Sequence, residues 1–126
     1  AARRAVAPLS FRIAAKLVAS RRYLQRVDRP VHLGVVFAMW GEQNRLRPKS
    51  ADNPTGEDAL RVKLAQLDWA TRDTPVTWTV YAVDDGCPHQ SGDLAREIAA
   101  GEALGTRVRV LNLEHALPTD RWPLIR

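Results

Sequence analysis

The chain has 126 residues, 45% of them apolar, which is enough for one domain or part of one. No run of about 18 apolar residues occurs, so no transmembrane helix is expected, and the basic start lacks the apolar core and cleavage site of a secretory signal. The net charge of +5 is uneven: residues 1–30 hold eight Arg and Lys against Asp28 alone, a net +7, whereas residues 31–126 hold eleven basic and thirteen acidic residues, a net −2.

Residues 1–30 therefore read as a basic N-terminal arm on a nearly neutral domain, and such an arm suits an acidic partner. A helix is predicted from Ser10, as N-cap, to Val27, with Pro30 beyond its end. Ile13, Leu17, Leu24 and Val27 form its apolar stripe, and Arg12, Lys16, Arg22 and Arg26 lie largely off it. A basic amphipathic helix of this kind either packs its stripe on the domain or lies on an anionic membrane surface. Nucleic acid is the lesser expectation, since no run of alternating aromatic and basic residues accompanies the arm.

Val31 to Trp40 is the first predicted strand. Its nearly continuous apolar run is what a strand covered on both faces shows in a parallel sheet. Gly41 to Gly56 reads as a long loop carrying Arg45, Arg47 and Lys49, cations that could meet phosphate or simply be solvated. Thr55 followed by Asp58 predicts the start of a second helix that runs to about Arg72. Leu60, Leu64 and Leu67 give its core stripe, widened by Val62, Ala65 and Trp69.

Val76 to Val83 is rich in Val, Thr, Trp and Tyr and reads as the central strand. It ends in Asp84-Asp85-Gly86-Cys87-Pro88. Two adjacent acids are costly to bury unpaired, so they mark the C-terminal edge of a sheet, where open α/β folds bind ligands. Cys87 is the only cysteine, which excludes an intramolecular disulfide and a cysteine-rich metal site and fits a reducing, cytoplasmic compartment. Ser91 is expected to cap a short helix whose buried face is Leu94, Ala95, Ile98 and Ala99. Thr106 to Leu113 alternates and reads as a third strand, and residues 114–126 form an irregular tail.

The expected fold class is therefore α/β: a Rossmann-like, three-layer half-sheet, parallel β-α-β-α-β over residues 31–113, preceded by the basic helix. Three strands leave exposed edges, which fits a missing C-terminal half or a homo-oligomer. A dinucleotide-binding reading of the acidic edge lacks the G-x-G-x-x-G loop. A phosphoacceptor-receiver reading lacks the later strand-end Asp and Lys.

Val35-Val36-Phe37-Ala38-Met39-Trp40-Gly41-Glu42 and Val83-Asp84-Asp85-Gly86-Cys87, with the strand around Val108–Leu111, resemble the nucleotide-binding half of family 2 glycosyltransferases of GT-A fold. The resemblance spans roughly residues 31–113. It implies a nucleotide-sugar partner, most simply a UDP-sugar. The backbone of Ala38 and Met39 would contact the nucleoside, Trp40 would flank the base, and Glu42 would sit near base or ribose. Asp84 or Asp85 would accept a hydrogen bond from the base, a role a carboxylate fills well. The plain alternative is that these acids only terminate the strand and cap the next helix. The chain departs from the pattern at Ala38, Met39, Gly41 and Cys87. The resemblance also implies a divalent metal, Mg or Mn, for the complete family domain, yet no D-x-D motif is present to hold one. The chain alone is thus expected to bind nucleotide without transferring sugar. The competing expectation is a non-catalytic interaction module that binds a protein or anionic partner.

Overall fold

The structure is a computed structural model and describes residues 8–113. Residues 1–7 and the tail expected at 114–126 lie outside the described residues. The element order is α1 (Leu9–Leu24), β1 (Val31–Met39), α2 (Gln43–Leu46), α3 (Ala59–Thr71), β2 (Val76–Asp84), α4 (Ser91–Ala100), a 3₁₀ turn (Gly105–Arg107) and β3 (Val108–Asn112). The three strands form one parallel sheet in the order β1-β2-β3. This is the expected α/β, Rossmann-like half-sheet with a helix ahead of β1.

Both crossovers step in the same direction across the sheet. Right-handed connections therefore place α3 and α4 on one face. That face is the core. Trp78, Val80 and Ala82 of β2 are buried there with Met39, Leu60, Leu64, Ala95, Ile98, Ala99 and Val108. The Trp78 indole N–H donates to Thr71 Oγ1 at 3.1 Å, and that hydroxyl donates to the Leu67 carbonyl at 2.8 Å. The buried Trp78 and Thr71 side-chain donors are thereby satisfied.

The opposite face is open, which corrects the expectation that β1 is covered on both sides. Along β1 half-buried and exposed residues alternate, and Val36 is 68% exposed. Register sets Ala38 beside Val83 and Leu111, Val36 beside Tyr81 and Arg109, and His32 beside Thr77. An unbroken apolar run shows that a strand belongs in a sheet; which faces are covered depends on where the crossovers land. The two rows nearest the C-terminal edge are mainly apolar. The far end is polar, with the His32 ring nitrogens bonded to the Thr77 and Thr79 hydroxyls at 2.8 and 3.0 Å.

Helix boundaries differ from expectation for physical reasons. α1 begins at Leu9 with Pro8 as N-cap, so Ser10 lies inside the helix and caps nothing. Leu17, Leu24 and Val27 are half-buried, but Ile13 is exposed. α3 begins at Ala59, later than the Thr55 signal. Its N-cap is Asp58 in the left-handed region, and the Asp58 carboxylate pairs with Arg61 at 2.8 Å. Leu60 and Leu64 face the core as expected. Val62, Ala65 and Trp69 instead line a groove against Ala14, Leu17 and Val18 of α1. Trp69 is thus not a core residue: it is 36% exposed, with the Arg21 guanidinium over its ring at 4.8 Å. α1 forms an outer layer on α3 through Leu17, while Leu24 and Val27 line a pocket with Val31, Leu33 and Val76 at the start of the strands.

The long loop contains α2 and then returns to its own start. Glu57 N–H donates to Arg45 O at 3.3 Å and Asp58 N–H to Arg47 O at 3.0 Å. At the tip, Ser50 and Asn53 exchange backbone hydrogen bonds at 3.1 and 3.2 Å.

Candidate functional site

β1 and β2 end side by side. Met39 pairs with Asp84 in register, and Asp85 N–H points to the Met39 carbonyl at 3.4 Å. Gly86 then turns the chain in the left-handed region at φ 70°, a conformation glycine adopts without steric cost. The two acids part here. Asp84 is 4% exposed, and both its oxygens are engaged: Oδ1 accepts from Cys87 N–H at 2.7 Å and Oδ2 from Gly92 N–H at 2.6 Å. Its charge is stabilised by these donors and by the positive end of α4. Asp85, next in the chain, is exposed at the sheet edge. The Asp85 carboxylate is the one that faces solvent.

Ser91 does not cap α4 with its side chain; the N-cap is Gln90, in the left-handed region at φ 55°. The Ser91 hydroxyl, fully buried, accepts Glu42 N–H at 3.0 Å and lies 3.3 Å from Cys87 Sγ. Cys87 Sγ in turn accepts Gly41 N–H at 3.1 Å. Cys87 and Ser91 therefore tie the segment leaving β1 to the segment leaving β2. Burial pushes the Cys87 thiol up, but the Ser91 hydroxyl and the N–H groups of Gly41, Ser91 and His89 outweigh it, and the thiol lies below its ordinary 9.0. Gly92 is required by contact: a Cβ there would lie 2.7 Å from Asn112 Oδ1 and 2.8 Å from Asp84 Oδ2.

The other expected site residues fall around this edge. Ala38 lies on the open face and Met39 is buried in the core. Trp40, directly after the residue whose carbonyl meets Asp85 N–H, is 60% exposed. The Glu42 side chain turns to Arg45 at 2.9 Å, and Arg45 also reaches Glu57 at 3.0 Å. Glu57 first, then Glu42, holds the Arg45 guanidinium above its ordinary range, and Arg45 holds the Glu57 carboxyl below its own. Arg45 is therefore already paired, whereas Arg47 and Lys49 are exposed without an ion pair among the described residues. A pocket of about 240 Å³ opens beside β1, lined by Phe37, Ala38, Met39, Glu42, Arg45, Leu46, Ala59, Leu60 and Lys63. It is smaller than the roughly 300–1,000 Å³ of typical ligand pockets.

Among the described residues, no three His, Cys, Asp or Glu side chains converge as metal ligands. At the sheet edge Asp84 is committed to backbone donors and Asp85 has no second acid beside it to share a cation. These residues do not fit the divalent metal implied by the resemblance.

The sequence singled out the acidic edge but missed Ser91, Cys87, Gly92 and Asn112 as the parts that build it. The available signal was the small pair Ser91-Gly92 opening a helix eight positions past Asp84. Free N–H groups at such a start need an acceptor, and a strand-end carboxylate can supply it. No protein-family model, curated protein or solved structure matches the chain.

Proposed function

We propose that this chain is the nucleotide-sugar-binding portion of a glycosyltransferase that moves a sugar from a nucleotide diphosphate, most simply a UDP-sugar, to an acceptor. The observation that carries the reading is the division of labour between the two acids. Asp84 is consumed in building the turn, and the neighbouring carboxylate, Asp85, stays exposed beside the end of β1. A uracil imide N–H is a donor that such a carboxylate accepts. Trp40 supplies an exposed aromatic face next to it, suited to stacking on a base. Lys63 in the adjoining pocket and Arg47 on the loop are cations for a diphosphate. The acceptor, and any metal for the leaving diphosphate, would be held by other parts of a complete domain.

The test is UDP titration of the chain by calorimetry. Asp85→Asn and Trp40→Ala are each expected to weaken binding at least several-fold while melting unchanged. Wild-type affinity in Asp85→Asn, or no UDP binding at all, would remove the reading.

The open sheet face and the edge of β1, unpaired among the described strands, favour a second reading, a non-catalytic module that binds a partner through this surface. It predicts no nucleotide binding, together with association that Val36→Asp abolishes.

A further inference from the structure

Five of the ten large hydrophobic side chains exposed among the described residues lie on α1: Leu9, Phe11, Ile13, Val18 and Tyr23. The same helix carries Arg12, Lys16, Arg21 and Arg22 and no acid. Arg21 stacks on Trp69. Arg12, Lys16 and Arg22, with Arg26 just past the helix end, form no ion pair among the described residues. Ala14, Leu17 and Val18 line the groove against α3. A second surface adjoins it: Phe11, Arg22, Tyr23 and Arg26 line a shallow groove on the helix, with Val18 on the border of the two.

We propose that α1 is an interfacial anchor that lies along an anionic lipid bilayer. This holds independently of the transferase reading. Exposed apolar side chains interleaved with unpaired cations match a bilayer interface, which offers hydrocarbon below and anionic headgroups above. The long Arg and Lys stems reach from the apolar level up to the headgroups. The charge division points the same way. Residues 1–30 carry a net +7 and residues 31–126 a net −2, so a negative leaflet attracts the arm and not the rest of the chain. At 16 residues the helix is about 24 Å long. It is too short for a bilayer core of roughly 30 Å, and no described helix is long and apolar enough to cross a membrane. α1 must therefore lie in the interface plane. A nucleic-acid backbone would satisfy the cations but leave Phe11 and Tyr23 of the groove in water.

The test is co-sedimentation of the full chain with vesicles of equal parts phosphatidylglycerol and phosphatidylcholine, and with phosphatidylcholine alone. Binding to the anionic vesicles at low salt is expected, with loss in about 1 M salt, where screening falls to roughly 3 Å. Arg22→Gln with Arg26→Gln should weaken it at least tenfold, and Phe11→Ser with Tyr23→Ser at least several-fold. The matched pair Arg47→Gln with Lys49→Gln should leave it nearly unchanged. All these side chains are exposed, so the variants should keep wild-type melting. The proposal is overturned by absence of binding at low salt, or by equal weakening in the matched pair, which would mean unlocalised electrostatics. It is also overturned if the Phe11 and Tyr23 changes have no effect on vesicles, if single-stranded oligonucleotide binds more tightly than vesicles, or if the chain self-associates through α1.

Discussion

The two faces of the sheet use the same three strands in opposite ways. On the helix side, each inward residue of β2 from Val76 to Asp84 is buried, and even the carboxylate at the end has two N–H partners. On the other side, the residues one step along are exposed or half-buried, and the β1 edge is unpaired among the described strands. The difference teaches that a parallel half-sheet becomes stable on one face only, because successive right-handed crossovers deliver all their helices to that face. The open face then presents side chains that the fold itself does not need.

The comparison can be broken most forcefully at Trp78. Trp78→Ala should cost about 3–5 kcal/mol, as large-to-small changes in cores do, read as a lower urea midpoint. A loss under about 1 kcal/mol would mean that the helix-covered face is not the core. Next comes Gly92→Ala. The new methyl meets Asp84 and Asn112, and a loss of about 1–3 kcal/mol is expected. Cys87→Ala removes the acceptor for Gly41 N–H and should cost about 1 kcal/mol. Cys87→Ser keeps an acceptor there and should cost less, so the order of the two melts tests the tie between the β1 and β2 exits. On the open face, Val36→Thr or Leu111→Thr should change stability by less than about 0.5 kcal/mol. A loss above roughly 2 kcal/mol for either would show that something covers this face in solution.

The smallest effect is electrostatic and lies away from both faces. Glu57 is held below its ordinary 4.5 by Arg45. The pair thus contributes above that value and loses its contribution as pH falls through the lowered one. Both groups are exposed, so the effect is weak. Arg45→Gln should slightly lower melting near neutrality, leave it unchanged at low pH where Glu57 is protonated, and so slightly flatten the acid limb of the melting curve.

Much of the fold was legible in the sequence because it rests on local chemistry. The β-branched and aromatic run Val76–Val83, broken by two acids and a glycine, could only be a strand meeting a turn. The buried face of α4 followed from its spacing, and Ala95, Ile98 and Ala99 are buried. What was not legible depended on which element meets which. Trp69 fits the helical stripe of α3 on paper, yet that side of the helix faces α1. Ser91 looks like a cap, but the start of α4 is met by Asp84, as the plain alternative for the acidic pair had it; which of the two acids would do so was not legible. The separate fates of Asp84 and Asp85 could not be read from two identical residues side by side. They follow from strand geometry, which sends successive side chains to opposite faces.

The loop after β1 has a consequence for how the molecule can change over evolutionary time. Its two ends are fastened to each other through Arg45, Arg47, Glu57 and Asp58, so the excursion from Pro48 to Gly56 hangs from a closed neck. Lengthening such an excursion costs only about 0.6 kcal/mol per doubling. Insertions near Ser50–Asn53 should therefore leave the β1 and β2 exits in place. The protein can lengthen this segment while the sheet edge beneath it keeps its geometry.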